Sequence, residues 1–255
     1  MSAMTYEDAL RMTNRETWSK LSEEGKVEVL QAVEDHMAAE CGREARTVES
    51  KWLYTGDDGI ELGRYQTGNQ TIYVNASQLG EGSLYGDNPD KMVEAVLHEG
   101  RHAFQHDVAE GRVPYEDAET AQAWAKNLEP GGYVRFDENP RAYWDQPVEA
   151  DARRFASDRL SQLRSERTAI AERDAAREAA REASGEAPTQ GQGAAPSGAP
   201  GEGPSHAGSG QGPSGGGESA GDGHDDARGA FDSAGDAPGE QSVVAQRHGR
   251  GLRMM

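Results

Sequence analysis

The run His98-Glu99-Gly100-Arg101-His102 sets two imidazoles four residues apart with a carboxylate between them. On a helix such residues lie one above the other, so both rings can reach a single ion at roughly 2.0 to 2.1 Å. Glu99 is turned about 100° from His98. Its carboxylate is then left out of the coordination set and beside a water on the ion. The chemistry this spacing suits is water activation at a bound divalent metal, with Glu99 taking the proton.

A helix must present these groups, and the surrounding sequence supplies one. Asn88-Pro89-Asp90 reads as its start, with Asn as N-cap, Pro in the first position and an acid in the first turn. Val93, Val96, Leu97, Gly100 and Phe104 then form an apolar stripe adjoining the histidine face. Gly100 costs about 1 kcal/mol relative to Ala inside a helix, which signals close approach by another backbone or a substrate. Arg101 either points outward or holds an acidic group near the site.

Two histidines need a third protein ligand if a fourth position is left for water. His106 continues the spacing but lies about 12 Å along the axis from His98, too far to share an ion, and reads as a surface or supporting residue. Glu149 is the better candidate. It falls in the first turn of a helix introduced by Pro147, where Val148, Ala152 and Phe155 can pack on the metal helix and turn it inward. Asp151, Glu116 and Glu119 are competing carboxylates, and Asp151 is alternatively an acceptor for the outer N–H of a ligating histidine.

Other elements follow from periodicity and turn residues. Residues 21–39 read as a helix opening at Ser22, with Trp18 in the core just before it. Segments 59–66 and 71–75 flank Thr67-Gly68-Asn69-Gln70 as a β-hairpin. Residues 113–128 read as a helix and 129–132 as a turn. The helix from Pro147 passes into an Ala/Arg/Glu-rich run, 164–183, read as a solvated helix supported by side-chain pairs.

Composition divides the 255 residues unevenly. Residues 184–255 hold 19 of the 32 glycines and six of the 11 prolines with few large apolar side chains, and read as a disordered tail. The expected organisation is a globular domain at 1–163, the charged helix at 164–183 and the tail at 184–255. A net charge of −19 argues against nucleic acid as partner. No apolar run resembles a signal peptide or a membrane span, and the single cysteine, Cys41, excludes an intrachain disulfide. These features favour the cytoplasm, with signal-less export compatible and no membrane partner expected. The oligomeric state is not encoded in any feature of the sequence.

The His98-Glu99-x-x-His102 pattern with a glutamate on a later helix resembles the gluzincin-type zinc metallopeptidases. The order of hairpin, metal helix and Pro-x-Glu helix over residues 59–155 is similar to the ImmA/IrrE-like group of small bacterial metallopeptidases. That resemblance implies an α+β, zincin-like fold, mainly helical with a small antiparallel sheet. It implies Zn2+ on His98, His102 and Glu149, and hydrolysis of a protein or peptide substrate with Glu99 as general base. A second donor would hold the oxyanion. Tyr143, Tyr133, Tyr115 and His106 are candidates, with Tyr143 preferred because it lies six residues before Glu149. An edge strand, 71–75 or its partner, would pair with extended substrate. Two other functions are compatible with the sequence: a toxin-like effector protease with one protein target, and a non-catalytic helical scaffold with a flexible acidic tail.

Overall fold

The computed structural model describes residues 4–55, 59–184 and 240–245. In chain order the elements are α1 (Tyr6–Met12), α2 (Arg15–Trp18), α3 (Glu23–Glu40), β1 (Thr47–Lys51), β2 (Ile60–Gln66), β3 (Thr71–Asn75), α4 (Pro89–Ala109), α5 (Ala118–Leu128), α6 (Pro140–Asp145), α7 (Pro147–Ser184) and β4 (Glu240–Ala245). The class is α+β and mainly helical, as the sequence predicts. Contacts divide the chain into a body, Met1–Ala179 with Asp236–Met255, and a second unit, Ala180–Gly235, of which only the end of α7 is described. Among the described residues no helix is long and apolar enough to cross a membrane.

The predicted hairpin is present, with β2 antiparallel to β3. The sheet is mixed rather than antiparallel, because β1 lies parallel to β3 on its other side. That strand escapes pattern reading because Thr47-Val48-Glu49-Ser50-Lys51 buries only Val48. A further difference concerns the segment read as a disordered tail. Most of it lies outside the described residues, but Glu240–Ala245 form β4, antiparallel to β2. The backbone donors and acceptors along an outer strand are a template for any β-competent segment, and Val243-Val244 is the β-branched pair of that region.

Local signals explain most helix boundaries. Ser22 caps α3 by accepting from Gly25 N–H, and Asp117 caps α5 by accepting from Glu119 and Thr120 N–H. The second of these starts α5 later than the predicted 113. Asn88 precedes α4 without a side-chain cap bond. Helix α7 runs unbroken through residue 163, and its charged stretch packs back on the body. Arg164 and Arg167 reach Asp90 at the start of α4, at 2.8 and 3.0 Å, and Asp174 accepts from Arg11 of α1. Tyr6 donates to Glu166, and Ile170 is buried.

The main core gathers Leu10, Trp18, Leu30 and Val33 from the first helices, Ile72 and Val74 from the sheet, Val93 and Val96 from α4, and Leu160 and Leu163 from α7. Two buried bidentate ion pairs fix α4 against what precedes it. Glu34 of α3 accepts from Arg43 at 2.6 and 2.8 Å and from Arg46 N–H at 2.8 Å. Asp107 of α4 accepts from Arg46 at 2.6 and 2.7 Å. Gly100 is where the first pair passes the helix: a Cβ there would lie 2.7 Å from Glu34 Oε2 and 2.9 Å from Arg43 Nη2. The close approach that its glycine signals is therefore made by an ion pair.

Both atoms are side-chain ends, yet each is held by the other and sealed from water, so neither can swing aside without breaking the pair. Gly100→Ala is expected to lower stability by about 1–3 kcal/mol through overpacking, although helix propensity alone would raise it by about 1 kcal/mol. Urea denaturation checks the sign, and a gain in stability would refute this account of Gly100.

Candidate metal centre

Helix α4 stacks His98 and His102 one turn apart, with their Nε2 atoms 2.9 Å from one another. The first turn of α7 brings Glu149 across from them, Oε2 at 3.2 Å from His98 Nε2 and Oε1 at 3.2 Å from His102 Nε2. All three residues are buried, and their ligand atoms lie within 4.8 Å of each other. Four ligands at about 2.0–2.1 Å in a tetrahedron stand roughly 3.3–3.4 Å apart. The observed separations are slightly inside that spacing. This buried group can hold a metal ion.

Helix α5 and the segment after it make Glu149 point inward. Val148, Phe104, Val108, Val113 and Trp124 form a second apolar cluster, which buries the residue just before Glu149 and rotates the carboxylate toward α4. Asn127 Oδ1 accepts from Val148 N–H, so the first turn of α7 is also tied by hydrogen bonding. Tyr115 joins this cluster, stacked near Trp124 and Phe104, and does not reach the site. Glu116 and Glu119 are exposed and stand outside it.

The tautomer of His102 is set by Gln105, one turn further along α4. Gln105 Nε2 donates to Val148 O at 3.0 Å and Asp151 Oδ2 at 2.9 Å. Its Oε1, 2.9 Å from His102 Nδ1, is therefore the acceptor. With the proton on Nδ1, His102 directs the Nε2 lone pair at Glu149 and His98. Asp151 supports the histidine through Gln105 rather than directly, and also accepts from Arg101 at 2.7 Å. Arg101 is held inward, over the rings of Phe104, Trp124 and Phe155 at 4.6 to 5.0 Å. Gln105 is the residue sequence reasoning missed; its signal was its place three residues after His102 on the same helix.

The electrostatics ask for positive charge at the convergence point. Burial opposes charge on Glu149, but the two imidazoles hold its carboxyl well below the usual range. Burial likewise opposes a proton on His102, yet the Glu149 carboxylate raises its pKa, while burial lowers that of His98. Glu149 Oε2 and Glu99 Oε1 are buried with no donor in hydrogen-bonding geometry. Arg153 Nη1, near Glu149 Oε2, is likewise buried without a hydrogen-bond partner, and carboxylate oxygens left so beside two imidazoles are compatible with a cation there.

Glu99 is fully buried and accepts from Tyr65 N–H of β2 at 2.7 Å through Oε2. Gly63 makes room for it, since a Cβ there would meet Glu99 Cγ at 3.1 Å. Burial pushes the Glu99 carboxyl up to about 8, and a cation beside it would favour the carboxylate. Tyr133 donates to Glu149 Oε1 at 2.7 Å, and Tyr143 is buried with its ring 6.2 Å from that of Tyr133. Burial and the Glu149 charge raise both phenols, so both stay protonated. Arg153 lies over Trp144 at 4.0 Å with Nη1 3.8 Å from Glu149 Oε2. His106 stands apart from the ligand group, its ring 5.8 Å from Tyr65, and burial lowers it to about 4.

Comparison of the chain with protein-family models, curated proteins and solved structures finds no match.

His98→Ala and His102→Ala are expected to abolish stoichiometric metal, read by elemental analysis of purified protein. Gln105→Leu should keep the ligands but weaken metal binding by about 10–100-fold, read by competition with a chromophoric chelator. Full occupancy in either histidine variant would sink the site, and unchanged affinity in Gln105→Leu would remove the relay from it.

Proposed function

We propose that this chain is a zinc-dependent metallopeptidase of the gluzincin type on a zincin-like body, hydrolysing peptide bonds of a protein or peptide substrate. The observation that carries the reading is the buried His98–His102–Glu149 group with Glu99 fixed beside it by a strand backbone. A zinc ion in such a group supplies Lewis acidity and lowers the pKa of a water to about 7.

The protein's own groups would do the rest. Glu99 is anchored through Oε2, which leaves Oε1 free to take a proton from water and pass it to the leaving nitrogen. Gln105 holds the neutral His102 proton on Nδ1, so that Nε2 is the atom that would face the metal. Tyr143 and Tyr133 keep their hydroxyl protons beside Glu149 and can donate to oxygen charge developing there, so the preferred Tyr143 has a neighbour in the same position to act. β3 is enclosed between β1 and β2, so of these two strands it is the side of β2 away from β3, where β4 pairs, that would align an extended peptide.

Glu99→Gln preserves shape and the acceptor for Tyr65 N–H but removes the base. Metal content should stay at the native level while cleavage of a peptide library falls by about 100-fold or more. Near-normal cleavage in that variant would defeat the mechanism.

A further inference from the structure

The edge of β2 just assigned to substrate carries a strand of the same chain. Glu240–Ala245 pair antiparallel with Ile60–Gln66, from Gln66 opposite Glu240 to Ile60 opposite Ala245, with an irregularity between Glu61 and Gly63. The stretch of β2 covered is the one that holds the base: Gly63, opposite Val243, packs on Glu99, and Tyr65, opposite Gln241, donates its N–H to Glu99. β4 also lies against α4, the helix bearing His98 and His102. We propose that β4 is an internal occupant of the substrate strand position, a tethered extended segment that an external peptide must displace before it can reach the metal centre. This rests on reading the β2 edge as the substrate edge.

Three features support occupancy of this kind. β4 pairs along the whole of β2, and such main-chain pairing needs no particular side-chain sequence. A tethered strand competes at an effective concentration of about millimolar order, enough to hold an edge closed against dilute substrates. Ser184 and Glu240 are joined by 55 residues, and closure entropy grows only slowly with the length of a connecting segment. Access to the centre would then depend on the peptide's strength as a β-strand partner.

The test uses full-length protein in the Glu99→Gln background, so that nothing is cleaved, and a fluorescent peptide with the sequence of residues 238–247. Val243→Pro puts a residue unsuited to a strand in the middle of β4 and should let the peptide bind about 100-fold more tightly than it binds the chain with native β4. Hydrogen exchange should show amides of 60–66 losing protection in Val243→Pro and regaining it when peptide is added. In the chain with native β4, excess peptide should accelerate exchange of residues 241–245, a readout that needs no β4 substitution. Equal peptide affinity with and without the proline, or no change in exchange at 60–66, would overturn the proposal. With Glu99 restored, Val243→Pro should raise peptide cleavage. Competition without any cleavage would leave β4 as occupant and defeat the peptidase reading, whereas cleavage indifferent to Val243→Pro would do the reverse.

Discussion

Taking a carboxylate out of water costs several kcal/mol unless donors or opposite charge reach it. Glu149 is fully buried, and what reaches it includes the Tyr133 hydroxyl, two imidazole nitrogens at 3.2 Å and a guanidinium at 3.8 Å. The imidazoles come from one turn of α4, so the relation between the start of α7 and the middle of α4 cannot slide without exposing or orphaning that charge. The rest of the body works to hold this one relation. Asp90 at the start of α4 is clamped by Arg164 and Arg167 of α7, and the rings of the α5 cluster seal Val148 beside Glu149.

A chain of polar contacts carries the same constraint through the interior: His102 to Gln105, Gln105 to Asp151, Asp151 to Arg101. The first step runs along α4 and the other two join α4 to α7. Arg101 ends the chain among three aromatic rings, where a guanidinium is satisfied at its edge by Asp151 and at its faces by π-systems. A charged residue between the glutamate and the second histidine is thereby made part of the packing. The cost of burying it is met by Asp151, which also accepts from Gln105 and so reaches His102 only through that amide.

How far the site was legible follows from which interactions are local. His98, Glu99 and His102 announce themselves because helical spacing alone puts them together. Glu149 was legible at longer range because Pro147 starts a helix and Val148, Ala152 and Phe155 give it an inward face. Gln105 and Arg153 were not: Gln105 stands at helical spacing from His102, but its role also depends on Val148 and Asp151 of α7, and Arg153 depends on Trp144 of α6. The hairpin showed in its alternation and turn, whereas β1 buries one residue in five and leaves no pattern to read. The tail's composition marks a segment poor in core residues, but main-chain pairing such as that of β4 needs no core.

Glu99 joins the two halves of the design, because it belongs to α4 by sequence and to β2 by its hydrogen bond. Tyr65 N–H is a strand donor, and Gly63 removes the side chain that would keep α4 off the strand. Glu99 is therefore oriented by the backbone of β2, the strand that also pairs with β3 and β4. On the proposed peptidase reading, alignment of a peptide along β2 and the aim of the base would share one backbone, because the donor that holds Glu99 Oε2 belongs to that strand, 2.7 Å away.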